Sequence, residues 1–142
     1  MSEQNFSNHA RYHPLYHYIA APLVLIGLIG SINYFIRCSP DNVYLASLLV
    51  LVFFILLIIG WLVRGNALRA QDRAIRAEEK LRHFILTGKP LDSRLRMGQI
   101  VALRFADDAE FPALAQKAAD ENLSGKAIKQ SIQQWRADYN RV

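Results

Sequence analysis

Residues 43–63 read VYLASLLVLVFFILLIIGWLV, and residues 64–86 continue RGNALRAQDRAIRAEEKLRHFIL. The first piece carries no charge; the second is rich in Arg, Ala and Glu. Neither contains proline, and the two glycines, Gly60 and Gly65, stand near the junction. An interior proline costs a helix about 3 kcal/mol, so its absence lets one helix run through both pieces. At about 1.5 Å per residue the uncharged piece reaches about 30 Å, the thickness of a bilayer's hydrocarbon core. The spacing therefore predicts a helix that crosses a membrane and continues into the cytoplasm.

A second apolar stretch, about 15–36, lies upstream and carries Pro22, Gly27, Gly30, Ser31 and Asn33. Gly27 and Ser31 form a small-xxx-small pair that admits a neighbouring helix closely. Between the stretches, Ser39, Pro40, Asp41 and Asn42 are turn formers. So short a connection forces an antiparallel hairpin over 15–63. Arg64, Arg69, Arg73, Arg76, Lys80 and Arg82 follow the second helix, whereas the loop has only Arg37 beside Asp41. The positive-inside rule then places both termini in the cytoplasm and Cys38 outside. The expected location is the inner membrane of a bacterium, as a multi-pass protein.

Charge is distributed to match. Of 17 Lys and Arg, 15 lie from Arg64 onward against 10 of the 12 acids, which accounts for the whole net charge of +5. Such an excess suits an anionic lipid surface or nucleic acid, and a solvated basic face that touches neither is a better reading than nucleic acid. Cys38 is the sole cysteine, so no internal disulfide forms. It follows Ile36-Arg37 rather than small residues, unlike a lipid-attachment site. The late start of the apolar stretch and its lack of a basic leader also argue against a cleavable signal peptide.

In the N-terminal segment 1–14, His9 and His13, with His17 beyond, recur every four residues, the spacing that stacks ligands on one helix face. Pro14 disfavours helix at His13, so only His17 belongs to a helix beginning there. With Tyr12, Tyr16 and Tyr18 interleaved, an interfacial anchor is the better reading than a metal or haem site.

Two stripes mark the extension 64–87. Arg69, Arg73, Arg76 and Lys80 are spaced for one face, suited to anionic lipid headgroups. Ala67, Ala70, Ala74, Ala77, Leu81 and Phe84 form another, heptad-like and small enough for close helix approach. Its partner is either another copy, as a homo-oligomer or part of a larger membrane complex, or the protein's own tail. Asp72→Arg76, Glu78→Arg82 and Glu79→His83 are spaced as i,i+4 pairs.

Gly88 and Pro90 stop this helix, and a three-helix tail is expected over 88–142. Asp92 or Ser93 caps a helix through about Phe105, with Met97, Ile100, Val101 and Leu103 inward. Asp107 and Asp108 cap the next, whose face is Phe111, Leu114, Ala115 and Ala118. Ser124 caps the last, with Ile128, Ile132, Trp135 and Tyr139 inward. No phosphate-cradling loop, CxxC or HExxH occurs, and Ser93, Ser124 and Ser131 have no adjacent base with an orienting partner. The expectation is a protein that is not an enzyme and uses no cofactor or metal. The last two helices, with Lys126, Lys129, Gln130, Gln133, Gln134 and Arg136, loosely suggest a helix-turn-helix, which leaves a membrane-tethered nucleic-acid binder as the alternative.

Ala70-Gln71-Asp72-Arg73-Ala74-Ile75-Arg76-Ala77-Glu78-Glu79, Ala102-Leu103-Arg104-Phe105-Ala106 and Trp135-Arg136-Ala137-Asp138-Tyr139 resemble segments of a family of bacterial integral membrane proteins of unknown function. So does Asn8-His9-Ala10-Arg11-Tyr12-His13-Pro14-Leu15-Tyr16-His17. The resemblance implies a small two-helix inner-membrane protein and carries over no site residue. The residues and the resemblance together lead to an all-α chain. It is a two-helix transmembrane hairpin with an extended second helix and a small helical tail. Its expected role is a non-enzymatic scaffold or accessory subunit.

Overall fold

The computed structural model describes residues 5–6 and 13–138. Among these it is all-α, with five α-helices and no strand beyond an isolated bridge pairing Ala106 with Trp135. Two compact units form, Tyr12–Ala67 and Leu68–Val142, with Asn5 and Phe6 in the second.

The first unit is a helical hairpin. Its opening turn, Leu15–Ala20, is π-helical: the Ala21 N–H reaches back to the Tyr16 carbonyl. Pro22 supplies the reason. It donates no backbone bond and crowds the carbonyl four residues earlier, and widening the preceding turn relieves both problems. Helix α1, Ala21–Arg37, follows. A 3-10 turn, Pro40–Asn42, leads into helix α2, Val43–Thr87, which is one helix of 45 residues as its composition predicts.

The small-xxx-small pair has the role its spacing implies. A Cβ on Gly27 would overlap the ring of Phe53, so glycine there admits the aromatic side chain. Ser31 is buried and donates its hydroxyl to the Leu28 carbonyl at 2.8 Å, and Ala46 is fully buried. At the other end of the hairpin the Tyr16 hydroxyl donates to the Gly60 carbonyl at 3.1 Å. Both apolar helical stretches, Leu15–Arg37 and Pro40–Thr87, are long and apolar enough to cross a membrane.

The second unit begins on the later turns of α2. Gly88 adopts φ +69° and its N–H returns to the Phe84 carbonyl at 2.8 Å, the left-handed stop expected of glycine. Helix α3 spans Met97–Leu103, later and shorter than the expected helix through Phe105. Asp92 does not cap it: its carboxylate accepts the Arg94 N–H at 2.8 Å and closes a local turn. Instead Gln99 reaches back, its side-chain oxygen accepting the Arg96 N–H at 2.7 Å. Gln99 is buried, and its amide donates to the carbonyl of Leu123 at 2.8 Å and, more weakly, to that of Ala118 at 3.4 Å.

Helix α4, Phe111–Asp120, buries Phe111, Leu114, Ala115 and Ala118, the face that its spacing predicts. Asp107 starts its first turn, accepting the Phe111 N–H on its carbonyl at 2.9 Å and the Ala109 N–H on its carboxylate at 3.1 Å. Asp108 takes no part in that cap; its carboxylate pairs with arginine instead. Helix α5, Gly125–Ser131, is capped as expected by Ser124, whose hydroxyl accepts the Ala127 N–H at 3.1 Å.

The last helix does not extend through Trp135. The N–H groups of Gln133 and Gln134 bond the Glu110 carboxylate, each at 3.2 Å, an acceptor that competes with further helix. The chain then runs extended past Phe105, with Arg136 N–H to the Phe105 carbonyl at 2.7 Å. Trp135 thereby stacks on Phe105, ring centroids 4.6 Å apart. Tyr139 lies outside the described residues. The core so closed comprises Leu91, Leu95, Ile100, Leu103, Phe111, Leu114 and Ile128 with intervening alanines.

Candidate functional site

The part of α2 within the second unit divides into three faces. Ile75 and Glu79 are buried, at 6% and 7% exposure, and one turn further the Arg82 side chain is 11% exposed. This is the face that holds the tail. Arg82 donates to the Asp108 carboxylate at 2.6 Å and to the Ala106 carbonyl at 2.7 Å. It pairs with Glu79 at 3.0 Å and lies 4.5 Å from the centroid of the Phe111 ring. His83 meets the same ring edge-on at 5.9 Å, and its Nδ1 contacts the Lys89 carbonyl oxygen at 3.0 Å. The anticipated i,i+4 partners are thus exchanged: Glu79 goes to Arg82, and His83 turns to the backbone.

Desolvation pushes the Glu79 carboxyl above its ordinary value near 4.5, while the Arg82 guanidinium draws it back. A polar cleft of about 410 Å³ opens beside it, lined by Ile75, Glu78, Arg104, Arg136 and Asp138. Both of its arginines lie near carboxylates of the protein. Arg104 lies 3.3 Å from Asp138, and Arg136 lies 3.7 Å from Asp108. The arrangement joins one segment to another; it pairs no nucleophile with a base.

The two sequence-predicted stripes lie elsewhere on α2. Arg69, Arg73, Arg76 and Lys80 are all exposed. Ala70, Ala74 and Ala77 are exposed too, with Leu81 at 59% and Phe84 at 54% exposure; Ala67, in the first unit, is half-buried. The alternative in which the alanine stripe receives the protein's own tail is therefore corrected. The tail sits on Ile75, Glu79 and Arg82. The signal that would have found this face was Ile75 itself, the one large apolar residue between Arg69 and Lys80, with charged residues one and two turns later.

The remaining candidates are placed as follows. The Lys129 ammonium lies 5.4 Å from the Phe105 ring centroid, and Gln133, Gln134 and Arg136 stand beyond the end of α5 rather than on it. Among the described residues no three His, Cys, Asp or Glu side chains converge as a metal site would require. His17 Nδ1 contacts the His13 carbonyl oxygen at 3.0 Å, while His9 lies outside the described residues.

A hairpin of two helices long and apolar enough to cross a membrane, the second running on to carry a compact helical tail, defines a small all-α protein with two candidate spans. The chain belongs to a family of unknown function, DUF6526, which matches residues 1–142. No curated protein and no solved structure matches it.

Proposed function

We propose that this protein is a membrane-anchored, non-enzymatic scaffold or accessory subunit of the bacterial inner membrane. The hairpin crosses the bilayer twice with both termini cytoplasmic, and α2 presents a helical surface to partners. One observation carries the reading. α2 spends a single face on its own tail and leaves a cationic stripe and an apolar stripe outward. The membrane assignment is supported by the hairpin's exposed apolar sides: only 6% of each apolar window is buried, whereas a core helix of a soluble protein is mostly covered. The cationic stripe suits anionic headgroups, each arginine near such a surface contributing about 1 kcal/mol.

Orientation is tested through Cys38, the sole cysteine. A membrane-impermeant maleimide added to spheroplasts is expected to label it, whereas a Cys38→Ser, Ser93→Cys variant reacts only after lysis. Labelling of both from one side would end the hairpin reading.

The interaction surface is tested on the alanine stripe. Ala70→Glu with Ala74→Glu is expected to abolish the high-mass species cross-linked in native membranes. It leaves the tail's resistance to protease intact, because the tail rests on another face. An unchanged cross-linking pattern would remove the stripe as a partner surface.

A further inference from the structure

Between the hairpin helices lies an apolar groove of about 310 Å³ whose walls include Tyr16, Ala20, Ala21, Leu56, Gly60 and Trp61. Three features distinguish it from the rest of the hairpin surface. Its α1 side is built partly from the π-helical turn Leu15–Ala20, a rare geometry that recurs at functional sites. Its wall includes a glycine, Gly60, with nothing within 4 Å of where its Cβ would stand, a trait shared on this hairpin by Gly30 and Gly65 but joined here to the other two. A cation marks one end, for the Arg64 guanidinium lies 5.9 Å from the centroid of the Tyr16 ring, whose hydroxyl bonds Gly60.

The dimensions match one leaflet. From Leu56 to Arg64 is eight residues, about 12 Å of helix at 1.5 Å per residue. Half of a hydrocarbon core is about 15 Å. With the hairpin in a bilayer, the groove runs from near the midplane to the headgroup boundary, where Arg64 arrives. Trp61, exposed at 76%, flanks it where indole rings favour the interface.

We infer that this groove is a phospholipid site: it seats one acyl chain of an anionic phospholipid, with Arg64 toward the phosphate. The mostly apolar walls disfavour a polar ligand, and the cation favours an anionic headgroup over a zwitterionic one of equal chain length. The inference rests on the hairpin spanning the membrane, and the Cys38 labelling above tests that premise separately.

The test uses Trp61 as reporter in the full-length chain. The other tryptophan is removed as Trp135→Phe, which keeps an aromatic ring against Phe105, and a Trp61→Phe chain serves as blank. The protein is reconstituted in phosphatidylcholine vesicles containing either brominated phosphatidylglycerol or brominated phosphatidylcholine. Half-quenching is expected at about fivefold lower mole fraction of the anionic lipid, the scale of one arginine–headgroup attraction. Gly60→Leu, which fills the groove, and Arg64→Gln are each expected to remove that preference. Lys117→Gln, which removes an exposed cation of the tail, leaves it in place.

Equal quenching by the two lipids would overturn the site. So would a preference that survives Gly60→Leu, since it would then belong to the general attraction of the basic segment. Quenching by neither lipid would also overturn it, giving the groove to a helix of a second copy. Outside labelling of Cys38 together with any of these three results would sink the groove alone and leave the hairpin reading standing.

Discussion

Arg82→Met is expected to destabilise the second unit by about 3–5 kcal/mol, the usual cost of removing one partner from a buried ion pair. The guanidinium is 11% exposed and serves the Glu79 and Asp108 carboxylates and the Ala106 carbonyl at once. Methionine fills the space and bonds none of them. Glu79 is then a buried carboxylate without its nearest cation, which is the costlier half of the loss. The small core supplies little reserve against this. The full-length variant in detergent should therefore release its tail to limited proteolysis at temperatures where the unaltered protein resists.

Replacing both partners, as Arg82→Met with Glu79→Leu, should recover much of the loss, because no unpaired charge remains buried. A single variant that melts within about 1 kcal/mol of the parent would show that the ion pair does not hold the tail.

Phe111→Ala is the second large effect, again about 3–5 kcal/mol. The ring is fully buried in the first turn of α4, with the Arg82 guanidinium at 4.5 Å and His83 edge-on at 5.9 Å. Truncation removes apolar contact and opens a cavity at the junction of α4 with α2. Phe111→Leu should restore most of the packing for under about 1.5 kcal/mol, which separates lost volume from lost aromatic contact. Thermal unfolding followed by far-ultraviolet circular dichroism reads both. The two sites touch, so Arg82→Met and Phe111→Ala combined should cost less than the sum of the single variants. Strict additivity would mean that the cation and the ring act independently.

How much of this was legible beforehand differs by region, for physical reasons. The long helix and its hairpin were readable because a long uncharged run and an abrupt cationic border persist over many residues. The inward face of α4 was readable because four apolar positions repeat at helical spacing. The end of α5 was hidden, since the group that captures Gln133 and Gln134 is Glu110, more than twenty residues upstream. The docking face of α2 was hidden for a related reason. Two of its three positions, Glu79 and Arg82, are charged, and a search for apolar stripes passes over them in favour of the alanines. The groove was out of reach because it depends on Tyr16 meeting Gly60 across 44 positions of chain.

Gln99 carries a consequence of a different kind. Its single amide group answers the start of its own helix and the chain leaving α4. Sliding α3 by one turn would leave the buried Gln99 amide without these partners, although a core of leucines and alanines would tolerate the slip. The glutamine thus makes the tail singular rather than merely compact: it selects one alignment among several greasy near-equivalents and keeps the domain from behaving as a loose, interchanging globule.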